Sequence, residues 1–296
     1  MKTLPQSSVS GLHPLVGHAY SSHDCNFLLA NETYENGIFK LKLGQPSGLK
    51  ILISGGSTSD LYYDGSWVRP FSKLVYNQCS QIYSTACVGY SSSQELLRLL
   101  ESISVLRPDI VISLNGINDF ACIQSGASLS PFVHNYLHSL FKVLCSANTS
   151  SLGSTATPIT ERELVFVPSN DDFNTWCANI NLMNTLSYVH GSYFFSFLQP
   201  CLGYGPYVPP PNSIEDYYLG KLLSDKPWYL DKLTSFFDQA KHSCVDFPFV
   251  YDLTSSLGLS CANLFQDVRH LNQLGNHKLA RSIYDTIKSS VLPGAK

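Results

Sequence analysis

KILISGGSTSD, residues 50–60, is the most informative stretch of this chain. Its apolar part, residues 51–53, reads as a buried strand, and small residues follow at once. A small-residue turn after a buried strand raises a side chain at the carboxyl end of the strand, where open α/β sheets bind ligands. Gly55 and Gly56 allow a close approach of the backbone to a ligand. Ser57 is therefore a candidate nucleophile, and an ordinary tight turn is the alternative interpretation.

From residue 49 onward, strand patterns alternate with helical periodicity. Strand-like runs lie at 50–54, 81–88, 110–114, 164–167 and 193–198, and helical patterns lie at 91–106, 131–145, 172–190 and 272–291. Two weaker extended candidates lie at 37–43 and 247–253. Such alternation is typical of a parallel sheet with helices on both faces. The sequence thus predicts an α/β fold, a three-layer α/β/α sandwich with a five-stranded parallel sheet.

We expect one domain over residues 1–296, with an irregular N-terminal segment (1–48) and an insertion at about 199–245. The segment is rich in Ser, His, Gly and Asn, and residues 199–213 hold prolines and glycines that disrupt regular structure. Because this stretch leaves the end of a predicted strand, it either borders the ligand cleft or forms a surface connection. The sequence leaves open whether the insertion acts as a lid.

Composition excludes several classes of function. A hydrophobic content of 44% with 14% charged residues suits a buried globular core. The net charge of −3 without a basic stripe argues against nucleic acid, and no apolar run is long enough to predict a membrane span. Nine cysteines without a Cys-x-x-Cys pattern predict reduced thiols and a cytoplasmic location. His134 and His138 share a helical face but lack a third ligand, so we expect neither a metal nor another cofactor.

Three further short blocks supply the groups that acyl transfer needs. Gly89 and Asn118 follow the second and third predicted strands, so they belong at the same sheet edge as Ser57. His270 can serve as the base, and Asp267, three residues earlier, can orient its ring. The N–H groups of Ser57 and Gly89 and the Asn118 amide can converge on an oxyanion. This hypothesis requires that folding brings Ser57 and His270 into contact.

The four blocks, in this order, resemble the SGNH (GDSL-type) hydrolase superfamily. The residues that define that family map onto Ser57, Gly89, Asn118 and His270, and Asp267 maps onto its third triad member. The resemblance implies a three-layer fold and ester hydrolysis through an acyl-enzyme without a cofactor.

The resemblance covers roughly residues 49–120 and 245–290, and residues 176–199 are similar to bacterial members associated with surface polysaccharide. Gly56 is a departure, since many members of the family have Asp there. A classical α/β-hydrolase would need Gly at position 59, where this chain has Ser59.

For the substrate, we expect a small-molecule or saccharide ester, foremost O-acetyl groups on a carbohydrate. The alternatives are an O-acetyltransferase acting on a saccharide, a lipase or thioesterase of the same family, and an inactive carbohydrate-binding scaffold. Tyr204 and Tyr207, in the proline-rich stretch, are the candidate substrate contacts. The oligomeric state is left open.

Overall fold

The computed structural model of the chain describes residues 28–62, 65–124, 172–258 and 262–291. The helix expected at 131–145, the strand expected at 164–167 and most of the N-terminal segment lie outside the described residues. His134 and His138 lie outside them as well.

The described strands form a single twisted layer. They are β1 (Glu32–Glu35), β2 (Ile38–Lys42), β3 (Leu49–Gly55), β4 (Cys79–Ser84), β5 (Ile110–Asn115), β6 (Tyr193–Leu198) and β7 (Val250–Asp252). The order across the sheet is β1-β2-β4-β3-β5-β6-β7, in which the run from β4 to β7 is parallel and the pairs β1·β2 and β2·β4 are antiparallel. The predicted fold class is confirmed, with five parallel strands among the seven described.

Residues 32–42, within the segment expected to be irregular, form the β1–β2 hairpin, and β2 lies inside the extended candidate at 37–43. Asn36 and Gly37 make its two-residue turn, with φ angles of 52° and 75°. Two successive positive φ angles are typical of the type I′ turn, for which Asn-Gly is the strongest short-range sequence signal. The Asn-Gly pair is therefore the local sequence signal for this hairpin, which the composition of the segment does not show.

The described helices are α1 (Val68–Leu74), α2 (Ser92–Leu106), α3 (Ile117–Gln124), α4 (Asp172–Val189), α5 (Ile214–Asp225), α6 (Tyr229–Asp246) and α7 (Gln273–Ser290). Sequence periodicity predicted α2, α4 and α7 to within two residues at each end, and it missed the other four. Ser91 begins α2 through a capping box with Gln94, which satisfies N–H groups left without partners by the first helical turn. No helix in the described ranges is both long enough and apolar enough to cross a bilayer.

Side chains that alternate along the central strands separate two cores. Ile51 and Ile53 of β3 belong to the core under α1 and α7, whereas Leu52 belongs to the core under α2, α4 and α6. Trp67 and Trp176 lie in the two cores and are fully buried. The period of two along each strand thus produces the helix–sheet–helix layering.

Residues 199–213 contain neither helix nor strand, but two helices, α5 and α6, occupy most of the rest of the expected insertion. α6 lies in the crossover between β6 and β7, and its Leu233 and Phe237 are fully buried in the core beneath the sheet. This part of the chain therefore belongs to one of the helical layers. The division of the chain into a single domain with an insertion stays a prediction.

Candidate active site

Ser57 lies in a tight turn just beyond the end of β3. The N–H of Ser59 donates to Gly56 O at 3.0 Å, and the N–H of Asp60 donates to Ser57 O at 3.3 Å. A Cβ atom on Gly56 would lie 2.1 Å from Asn118 Nδ2, a distance that no side chain could tolerate without moving its neighbour. Glycine at position 56 therefore allows the amide of Asn118 to approach the turn of Ser57.

The loop from Phe265 to Leu271 presents Asp267 and His270 together. These two ends of the loop form an isolated antiparallel bridge, and inside it Gln266 N–H donates to His270 O at 2.9 Å. One carboxylate oxygen of Asp267, Oδ1, accepts the backbone N–H groups of residues 269 and 270, both at 2.8 Å. This local pattern bends the chain so that the second oxygen faces the imidazole of His270.

The three side chains of the expected triad form one hydrogen-bonded chain. Ser57 Oγ lies 2.6 Å from His270 Nε2, and His270 Nδ1 lies 2.7 Å from Asp267 Oδ2. The contact predicted between Ser57 and His270 is confirmed, although 213 positions separate them in sequence. Because Asp267 accepts at Nδ1, the ring takes the tautomer in which Nε2 can accept the hydroxyl proton of Ser57.

Asp267 is held in its charged form. Partial burial opposes ionisation, but hydrogen bonds and charge attraction from His270, together with the two backbone N–H donors, lower the pKa of Asp267 below its usual value. Its carboxylate is 44% exposed and the imidazole is 33% exposed. A negative charge thus stands behind the imidazole throughout the neutral pH range, where it favours protonation of the ring as Ser57 loses its proton.

Gly89 lies in the loop after β4 and Asn118 in the first turn of α3, and both are tied to the turn of Ser57. Gly89 has a φ of 75° inside the turn closed by Tyr90 N–H and Cys87 O, and Cys87 N–H donates to Gly55 O at 3.2 Å. Asn118 Nδ2 donates one hydrogen to Tyr90 O at 2.9 Å. A side-chain amide carries two hydrogens, so the second can point to a developing oxyanion.

Asp119 connects the start of α3, which contains Asn118, to the start of α2, which follows the loop of Gly89. It is fully buried, and its carboxylate accepts the N–H of Ser92 at 2.9 Å and the N–H of Gly116 at 3.3 Å. Burial raises the pKa of Asp119, and the hydrogen bonds from Ser92 and Gly116 counter that rise. Asp119 therefore braces the start of α3 against the start of α2.

A small open cleft adjoins the triad. Its volume is about 180 Å³. The lining residues are Ser57, Thr58, Gly65, Gln266, Asp267, His270, Leu271 and Asn276. Gln266 and Asn276 were not predicted from the sequence, although both are close in sequence to the Asp-x-x-His block and could have been found on that ground. Their amides can both donate and accept hydrogen bonds.

The two tyrosines expected to contact substrate lie elsewhere. Tyr207 is only 5% exposed, and its hydroxyl donates to Glu215 at 2.5 Å and lies 3.0 Å from Ala262 O. The Tyr204 hydroxyl donates to Asp238 at 2.6 Å, and its ring packs on Phe237. Neither tyrosine is among the residues that line the cleft of Ser57, so their placement gives no support to the expected role.

The described residues contain no group of three or more His, Cys, Asp or Glu side chains suited to hold a metal ion. The expectation of chemistry without a metal or another cofactor therefore stays a prediction that rests on the triad.

The chain matches solved structures in fold, at low sequence identity. No protein-family model and no curated protein sequence matches the chain. Solved structures do match. An acetyl xylan esterase matches at 13% identity with a TM-score of 0.49, and the match covers 81% of this chain and all of that chain. A lipase/acylhydrolase from Enterococcus faecalis matches at 15% identity with a TM-score of 0.46, and the match covers 84% of this chain and all of that chain. A GDSL-like lipase from Bacteroides thetaiotaomicron matches at 14% identity (85% of this chain, 93% of that chain, TM-score 0.44).

At 13–15% identity the likeness concerns the fold alone. The chemistry open to this chain follows from its own side chains.

Proposed function

We propose that the chain is a serine carboxylic ester hydrolase that acts through an acyl-enzyme. The observation that carries this proposal is the hydrogen-bonded chain from Ser57 through His270 to Asp267, at 2.6 and 2.7 Å. A hydroxyl that donates to an imidazole oriented by a carboxylate is the arrangement that activates serine as a nucleophile.

In the first half of the reaction, Ser57 Oγ attacks the ester carbonyl carbon while His270 Nε2 takes the hydroxyl proton. The carbonyl oxygen becomes an oxyanion, which the N–H groups of Ser57 and Gly89 and the second amide hydrogen of Asn118 stabilise. His270 then gives its proton to the leaving alcohol, and the acyl group remains on Ser57. In the second half, His270 takes a proton from water as its oxygen attacks the acyl carbon, and His270 then returns that proton to Ser57 Oγ as the acid is released.

We propose further that the substrate is a small acyl ester of a polar alcohol, foremost an O-acetyl group on a carbohydrate. The amide of Gln266, which lines the cleft beside His270, offers hydrogen bonds of the kind that a sugar hydroxyl can match. The sequence similarity of residues 176–199 to bacterial members associated with surface polysaccharide supports the same substrate class.

The first test is the substitution Ser57→Ala. We expect wild type to release acetate from an acetylated saccharide and to prefer acetyl over longer acyl chains among p-nitrophenyl esters. Ser57→Ala should lower kcat by at least about 10⁴-fold, since removal of a triad member leaves only residual catalysis. Mass analysis with an added saccharide shows whether water or a sugar hydroxyl accepts the acyl group. Equal acetate release by Ser57→Ala would refute the proposal.

A further inference from the structure

The proline-rich stretch after β6 and the start of α5 contact the loop that carries Asp267 and His270. Gln199 Nε2 donates to Arg269 O at 2.9 Å, and Leu202 N–H donates to Val268 O at 3.1 Å. Both acceptors are backbone carbonyls between the two triad residues of the loop. Residues 199–215, here called the support segment, therefore reach the interior of the Asp-x-x-His block.

Glu215 makes the densest of these contacts. It is fully buried, and its Oε1 accepts the N–H of Leu264 at 2.5 Å and the N–H of Phe265. Its Oε2 accepts the Tyr207 hydroxyl at 2.5 Å. A buried carboxylate with three donors holds those donors in a narrow geometry, because displacement of any one leaves a polar group in the interior without a partner.

The anchoring point of Glu215 is where the loop begins. Phe265 forms the bridge with Leu271 that closes the loop, and Asp267 lies two residues beyond it. The ring of Tyr207 also packs on the ring of Phe265, with centroids 5.6 Å apart. The support segment therefore contacts the loop at its start through Glu215 and Tyr207 and in its middle through Gln199 and Leu202.

We propose that the support segment positions the Asp267–His270 loop against Ser57, with Glu215 as its main positioning residue. This inference rests on the proposed function for its catalytic meaning, but the placement of the loop can be measured without any substrate. In this proposal, the proline-rich stretch is a fixed part of the structure that supports the loop, and it is not a mobile lid. Glu215 touches neither Ser57 nor the imidazole, so it acts through the loop.

The test compares Glu215→Ala with Glu215→Gln. In Glu215→Gln, Oε1 still accepts the N–H groups of Leu264 and Phe265, and Nε2 can donate to the Tyr207 oxygen while the tyrosine hydroxyl donates to Ala262 O. Glu215→Ala removes the three hydrogen bonds that the Glu215 carboxylate accepts. Asp216→Ala is the matched control, because its carboxylate is on the same helical turn but is exposed and accepts only from the nearby Asn212 N–H.

We expect Glu215→Ala to lower kcat by about 10²-fold with little change in KM, the loss that an ångström-scale misplacement of a reacting group can produce. Glu215→Gln and Asp216→Ala should stay within about threefold of wild type. All assays are run well below the unfolding temperature of each variant, so that the comparison concerns folded protein.

A second readout does not need catalysis. Proton NMR at low field reports the His270 Nδ1–H hydrogen bond to Asp267, assigned by its absence in His270→Gln. We expect this signal in wild type, Glu215→Gln and Asp216→Ala, and its shift or loss in folded Glu215→Ala. If wild type has the signal but no esterase activity, the proposed function fails while the positioning is still tested. An unchanged signal and unchanged kcat in Glu215→Ala would overturn the inference.

Discussion

At the scale of single residues, Gly56 is the position where the absence of a side chain bears most directly on the proposed chemistry. We expect Gly56→Ala to lower kcat by about 10²–10³-fold, the usual cost of losing one oxyanion donor. The added methyl would lie 2.1 Å from Asn118 Nδ2, so the amide must swing away from the turn of Ser57. The measurement is kcat on a p-nitrophenyl ester, with circular dichroism to verify the fold.

Gly220→Ala is the control for this substitution. Gly220 lies in α5, and a Cβ atom there would meet nothing within 4 Å. Alanine is also the better helix former, so this variant should keep full activity and unfold at the same or a slightly higher temperature. A Gly56→Ala enzyme with the kcat of wild type would show that Asn118 is not held by this contact or does not donate to the oxyanion.

At the scale of elements, Glu95 links α2 to the centre of the sheet. It is fully buried and accepts the hydroxyl of Ser113, on β5, at 2.5 Å. Burial raises the pKa of Glu95 well above its usual value, and the negative charge of Asp119 adds to the rise. The raised pKa favours the neutral form of Glu95, in which its hydroxyl group can itself donate.

A raised pKa in the folded state makes stability depend on pH. The contribution of Glu95 is fully present below its unfolded pKa, near 4.5, and is lost as pH rises towards the folded pKa. Glu95→Gln is neutral at every pH, so we expect its free energy of unfolding to gain on wild type by up to about 1.4 kcal/mol per pH unit above 4.5. Urea unfolding at pH 4.5, 6 and 7.5 measures this difference, and a constant difference would contradict it.

At the scale of the whole molecule, a buried ion pair fastens the edge hairpin to a helical layer. Arg69 of α1 donates to both oxygens of Glu32, on β1, at 3.0 and 3.1 Å, and the two side chains are 17% and 2% exposed. Removal of one partner from a buried pair leaves a charge without compensation. We expect Glu32→Ala to lower the free energy of unfolding by about 3 kcal/mol in urea denaturation.

The same hairpin provides the control. Glu35 pairs with Lys40 at 2.6 Å, but this pair is on the surface, where water screens the attraction. Glu35→Ala should therefore leave the free energy of unfolding nearly unchanged. Equal losses in the two variants would mean that burial of the Glu32–Arg69 pair does not govern how the hairpin is attached.

Local patterns were enough to predict much of the molecule. The strand before Ser57 and helices α2, α4 and α7 could be predicted because neighbouring residues encode periodicity, turns and caps. The triad and oxyanion residues were predicted from four short sequence blocks, whereas Gln266 and Asn276 were not predicted. The Asp267 carboxylate and the His270 ring, three residues apart, also meet through local hydrogen bonds. Such features need no knowledge of distant parts of the chain.

Other features depended on how distant segments come together. The approach of Asn118 to Gly56, the contact of Tyr207 with Ala262, and the anchoring of the His270 loop by Glu215 all join residues far apart in sequence. Periodicity along one segment specifies which face is buried but not which neighbour covers it. The residue types of the triad could therefore be predicted from the sequence. Which residues contact and support them depends on the order of the strands and the path of the connections.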